Sequence, residues 1–169
     1  MNEIKNQVDL DTIDVRLLQQ LQHDASLTNQ ALAERCHLTP PTCLRRVRRL
    51  HDLGLIERTV AVLHPQALQA QGAQLLTALV EVTLDQQGDE FQQQFEAAAV
   101  ADADVQQCYR TSPGPDFILV VVVPDMPAFM AFNQRLLTAQ ANVRNVRTFF
   151  VQSRGKFATQ LPLAGLASS

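Results

Sequence analysis

The chain has 169 residues, of which 46% are hydrophobic and 18% charged, a composition that suits one large or two small globular domains and excludes a disordered or fibrous polymer. The net charge of −3 does not advertise a nucleic-acid partner, but its distribution is uneven. Residues 1–64 carry eight Lys/Arg against eight Asp/Glu, and Arg45, Arg46, Arg48 and Arg49 fall within five residues. The longest strongly apolar run, Phe117 to Val123, is too short for a bilayer, and the start MNEIKNQVDLD lacks a basic segment followed by an apolar one. Cys36, Cys43 and Cys108 are odd in number and have no CxxC spacing, so reduced thiols are expected. These features predict a cytoplasmic protein with no membrane partner.

The first third reads as three helices. From Asp11 to Gln22, Ile13, Leu17, Leu18 and Leu21 recur at helical spacing, with Asp11 as the cap. Thr28 opens a short second helix with Ala31 and Leu32 facing inward. After His37-Leu38, Thr39 is a natural N-cap, and Pro40 and Pro41 are tolerated in a first turn whose N–H groups have no intrahelical partner. The third helix runs to about Leu53, and Gly54 stops it. Two helices joined by so tight a turn make a helix-turn-helix. Thr59 to Leu63 alternates as a wing or linking strand, and the polar stretch from His64-Pro65 through Gly72 reads as a connector.

The second half has another rhythm. Leu75 to Leu84 alternates as a strand with Ala78, Val80, Val82 and Leu84 on one face, and Gly88 to Ala101 is helical with a Phe91, Phe95, Ala98/Ala99 stripe. Strands follow at 104–111 and 116–123, joined by Ser-Pro-Gly-Pro. Asp125 caps a helix that turns Phe129, Phe132 and Leu136 inward, and 143–151 is the last strand. The order β-α-β-β-α-β is ferredoxin-like, so the predicted fold class is α+β. The expected division is a winged helix-turn-helix over 1–58, a linking strand and connector over 59–74, a ferredoxin-like domain over 75–157 and a loosely ordered tail over 158–169. A ferredoxin-like sheet covered on one face leaves the other apolar, here expected near Val80, Val82 and Phe150, and that face calls for a second copy.

The chemistry concentrates on the third helix. At about 100° per residue, Leu44, Val47 and Leu50 with Cys43 occupy one side, and Thr42, Arg45, Arg46 and Arg49 the other. Arginine forks pair with phosphate oxygens or guanine edges, and a recognition helix brings its N-terminal residues, Thr39 and Thr42 here, to the major groove. A charged face on a lone helix is ordinarily just solvated; on the second helix of a helix-turn-helix it points to double-stranded DNA. Arg48 is placed nearer the core boundary, making a phosphate contact or an intramolecular pair. No GxSxG, GxGxxG after a strand, or HExxH is present, so no enzyme or cofactor is expected. Cys36, His37, Cys43 and His51 match no zinc spacing, so no metal is expected either.

At these residues the chain resembles the Lrp/AsnC (leucine-responsive, feast/famine) regulators over roughly 9–157, most specifically in TPPTCLRRVRRL followed by LGLI, with VEVTLD and VQQCYRTSPGPDFILVVVVPDM further on. The resemblance implies a sequence-specific transcriptional regulator whose ferredoxin-like domains pair into dimers, often assembling to octamers, and whose DNA binding is tuned by an amino acid. It also implies an effector site at the strand-turn-strand loop, where the family commonly has Ser-Gly-x-x-Asp and then an aromatic residue. Ser112, Gly114, Asp116 and Phe117 are the candidates. Pro113 stands where the family has glycine, and Pro113 and Pro115 carry no N–H, so weak binding of ordinary amino acids or a preference for another metabolite is expected. Two other readings compete. One is an architectural DNA-wrapping protein with little sequence choice. The other is an enzyme like the siroheme decarboxylases, which resemble this family but use histidines in the second domain, where this chain has none after His64.

Overall fold

The computed structural model describes residues 9–86, 88–139 and 142–166. Two compact units emerge: the described residues through Ala61 together with those from Lys156 onward, and Val62–Gly155.

In the first unit, helix α1 (Thr12–His23) begins where the Asp11 carboxylate accepts the Asp14 N–H at 2.8 Å. Helix α2 (Asn29–Cys36) begins where the Thr28 hydroxyl accepts from Ala31, and it ends at His37, whose φ of 57° closes the helix in the left-handed conformation. Helix α3 (Pro40–Asp52) follows after three residues, and the Asn29 side-chain amide donates to the Pro40 carbonyl at 2.9 Å, tying the start of α2 to that of α3. Leu17, Leu32, Ala33, Cys36, Cys43 and Leu50 form the centre of the core. Burial raises the Cys36 and Cys43 thiols above their ordinary pKa, so both are small apolar packing residues.

Three expectations for this unit need correction. Leu44 is 49% exposed: Cys43 and Leu50 carry the buried face, so the helix is rotated from the side drawn through Leu44. The run 59–63 forms no strand ladder, and Val60, Val62 and Leu63 are exposed; alternation specifies a strand only where a neighbouring strand takes up its N–H and C=O groups. The tail is not loose over its described length. The Gln22 amide donates to the Leu161 carbonyl at 3.0 Å and accepts the Leu161 N–H at 2.9 Å, while Leu163 packs against the core.

The second unit opens with helix α4 (Pro65–Ala70), whose N-cap is His64 through Nδ1. The connector reading missed it because histidine is an unusual cap. Strands β1 (Leu76–Leu84), β2 (Val105–Arg110), β3 (Phe117–Val123) and β4 (Val143–Phe150) form an antiparallel sheet in the order β2-β3-β1-β4. With helices α5 (Asp89–Ala101) and α6 (Met126–Phe132, continued by π-helical turns over Asn133–Thr138), this is the expected βαββαβ arrangement. Ala78, Val80, Val82 and Leu84 of β1 meet Phe117, Leu119, Val121 and Val123 of β3 in a core closed by Phe95, Ala99, Phe129, Phe132, Leu136 and Leu137.

The apolar open face therefore lies elsewhere than expected. Val80 and Val82 are fully buried in that core, and Phe150 meets Phe129 edge-on at 5.1 Å. Because side chains alternate, the uncovered face belongs to the intervening positions: Leu79, Ile118, Val120, Val122, Tyr109 and Phe149, with a Glu81–Arg147 pair among them.

Candidate nucleic-acid interface

Two prolines shape the start of α3. Pro40 and Pro41 occupy its first two positions and have no N–H, and the Thr39 carbonyl accepts from Cys43, leaving Thr42 as the one donor of the opening turn. Thr39 sits at the N-cap with extended backbone, but its hydroxyl bonds the Thr42 hydroxyl at 2.9 Å instead of a backbone N–H. Two adjacent hydroxyls thus stand at the end of the helix where base edges are met in a helix-turn-helix.

The arginines divide into two kinds. Arg46 Nη1 donates to Asp14 Oδ1 at 2.7 Å and to Asp11 Oδ2 at 2.8 Å. Arg49 Nη1 donates to Asp14 Oδ2 at 2.8 Å, and its Nη2 reaches the Asp9 carbonyl at 3.2 Å. Asp14 is itself buried, a carboxylate held inside by two guanidinium groups. These partners also set the electrostatics. The Asp14 carboxylate, with help from Asp11, holds Arg46 more firmly protonated than usual against the cost of burial. Burial works against ionisation of Asp11, but the Asp14 N–H and Arg46 outweigh it and pull its carboxyl below the ordinary value. Arg45 and Arg48 are exposed and have no ion-pair partner among the described residues. Asp9, Asp11 and Asp14 with Arg45, Arg46 and Arg49 line an open hollow of about 300 Å³.

The sequence reading grouped Thr42, Arg45, Arg46 and Arg49 on one surface; the three arginines line the same hollow, and the Thr42 hydroxyl bonds Thr39. It placed Arg48 nearer the core boundary, where the structure leaves it exposed, and it did not foresee that Arg46 and Arg49 are held in intramolecular pairs with Asp14. It also missed Asp14, whose signal was present, since a carboxylate one turn before Leu17 in an apolar stripe demands a buried cation.

The second candidate site is the hairpin between β2 and β3. The Thr111 N–H donates to the Asp116 carbonyl at 2.9 Å, closing the turn over Ser112, Pro113, Gly114 and Pro115. Ser112 and Gly114 are exposed, and Gly114 has a φ of 130°, a conformation side-chain-bearing residues rarely adopt. Asp116 is nearly buried, and its Oδ2 accepts the Leu84 N–H at 2.7 Å. Phe117 has no exposed surface and packs on Phe95 with ring centroids 4.9 Å apart, so its side chain serves the core and not an open pocket. Among the described residues no group of three His, Cys, Asp or Glu is arranged to hold a metal, and no helix is long and apolar enough to cross a membrane.

Residues 10–57 match the winged helix-turn-helix DNA-binding family, and residues 77–161 match the Lrp/AsnC ligand binding domain. The chain belongs to the Lrp/AsnC family. The Leucine-responsive regulatory protein of Salmonella typhimurium is 35% identical over 153 residues, covering 90% of this chain and 91% of that protein. An uncharacterised HTH-type transcriptional regulator of Haemophilus influenzae is 35% identical over 144 residues, 85% of this chain and 83% of its own. Among solved structures, a transcriptional regulator of Neisseria meningitidis in complex with L-Met aligns with a TM-score of 0.78 at 31% identity, covering 93% of this chain and 99% of that one. An AsnC family regulator from Agrobacterium tumefaciens gives 0.78 at 30% identity, over 91% and 97% of the two chains. This Lrp/AsnC chain is accordingly a transcriptional regulator that combines a helix-turn-helix DNA-binding domain with a ligand-binding domain.

Proposed function

We propose that this regulator reads double-stranded DNA sequence-specifically through α3, with Arg45 as the principal free cation, Arg49, Arg48 and Thr42 beside it, and Thr39 and Arg46 at the margins. One observation carries the reading: Arg45 is exposed and without an ion-pair partner among the described residues, on the second helix of the helix-turn-helix. Arg45→Ala is expected to weaken binding to a duplex recovered by in vitro selection. The loss is about 1–3 kcal/mol with relaxed preference if the contact is to a base, or a salt slope lower by about one if it is to phosphate. Unchanged binding by a folded Arg45→Ala protein overturns the assignment.

The regulator acts as a dimer, and the octamers implied by the family are built from it. Support comes from the uncovered sheet face at Leu79, Val120, Tyr109 and Phe149, which a second copy of the same face would bury. Its activity is binding without catalysis, in the cytoplasm where the DNA lies.

The effector is an amino acid or a related metabolite, held at the β2–β3 hairpin. The relatives named for leucine and solved with L-Met support the chemical class. Within the hairpin Ser112 and Gly114 are exposed, and the Ser112 hydroxyl and the two backbone N–H groups are the donors offered to a carboxylate, because the prolines donate nothing. Asp116 is already engaged by Leu84, so its spare acceptor capacity must serve an ammonium group without losing that bond. Calorimetry with the twenty amino acids tests this. Binding that Ser112→Ala weakens supports the site, and tight binding that Ser112→Ala leaves intact moves it elsewhere.

A further inference from the structure

We propose that Asp11 and Asp14 set the selectivity of the α3 surface by keeping Arg46 and Arg49 in intramolecular ion pairs, out of reach of phosphates met on any DNA. The inference rests on the reading of α3 as the DNA-contacting helix. Arg46 and Arg49 converge on the two oxygens of Asp14, at 2.7 and 2.8 Å, and the Asp14 side chain is only 2% exposed. A guanidinium that left Asp14 for a phosphate would leave one oxygen of a buried carboxylate without its cation, a costlier loss than breaking a solvated pair. Asp11 adds a second restraint on Arg46 at 2.8 Å with half its side chain in water. The hollow these groups line therefore offers a phosphate three carboxylates as well as three arginines.

The consequence is electrostatic. Sequence-independent DNA binding is driven by cations that displace counterions from phosphates. An arginine withdrawn from a carboxylate leaves behind a charge that gathers a cation of its own, so the net release is cancelled. Arg45 and Arg48 escape this restraint, having no such partner among the described residues. Random DNA then loses two potential phosphate contacts, while the contacts that Arg45 and Thr42 make to base edges are untouched. The ratio of specific to non-specific affinity rises.

Asp11→Asn is the cleanest probe, because asparagine caps a helix as well as aspartate does while removing the charge. The full-length wild type and variant are titrated with a random-sequence duplex and with one recovered by in vitro selection with the wild type, over a range of salt. The variant is expected to bind the random duplex about threefold or more tighter at low salt, with a log–log salt slope steeper by up to about one, and with a reduced selected-to-random ratio. Asp14→Asn, where circular dichroism finds it folded, is expected to steepen the slope by up to about two; where it does not fold, Asp11→Asn decides. Weaker binding of both duplexes by Asp11→Asn assigns Asp11 a purely structural role and overturns the inference, as does unchanged binding. In either case the DNA reading survives if the wild type binds. A wild type that binds neither duplex removes the DNA reading and the inference with it.

Discussion

Asp116 takes the Leu84 N–H at 2.7 Å just past the last β1–β3 register pair, Val82 and Phe117, so a side chain finishes a ladder that the backbone leaves incomplete. Removing that acceptor leaves a buried donor unpaired. Asp116→Ala is expected to lower stability by about 1–3 kcal/mol in denaturant unfolding, and Asp116→Asn, which keeps an oxygen, by much less. A second carboxylate gives a pH test. Arg135 grips Asp102 through Nε at 2.7 Å and Nη2 at 2.9 Å, and this bond holds the Asp102 carboxyl below its ordinary value of 3.8 in spite of burial. A depressed folded-state pKa stabilises fully above the unfolded value and is lost as pH falls through the folded one. Asp102→Asn should therefore melt lower than the wild type at neutral pH, and the gap should narrow on acidification below about pH 4. A gap that is constant with pH contradicts the pairing. Neither role was legible in the chain: an aspartate beside a turn reads as a turn residue, and only the folded partner reveals what it holds.

Elements were more legible than their rotations. Caps at Asp11, Thr28 and Asp125 mark helix starts in sequence because a side-chain oxygen must meet an orphan N–H there, and all three do so. The rotation of α3 was not legible at Leu44, since an apolar residue flanking the core face costs little when exposed. Nor was the return of the tail to α1, a contact 139 residues apart in sequence that no local period encodes. That contact makes a prediction. Leu163 packs against the first unit's core and Gln22 clasps Leu161 in both directions. Leu163→Ala is expected to cost about 1 kcal/mol and to raise hydrogen exchange in α1. Exchange in α1 that is unchanged means the tail adds nothing to the unit it touches.

At the scale of the whole molecule, alternation grouped Ala78, Val80, Val82 and Leu84 on one face of β1 but could not say which face the helices cover. Val80 and Val82, expected on the open side, are buried, and the uncovered surface has the opposite parity, at Leu79, Val120 and Phe149. In the proposed dimer a charge placed there meets its own copy across a two-fold interface. Leu79→Glu is accordingly expected to sediment as a monomer where the wild type is a dimer; a variant that stays dimeric removes that face as the interface. The central claim remains that α3 reads sequence. It is tested most directly by selecting duplexes from a random pool with the full-length protein and comparing the affinity of the winner with that of a shuffled duplex at one salt concentration. The account predicts a preference of at least about a thousandfold. A ratio near one contradicts it and leaves a protein that holds DNA without reading it.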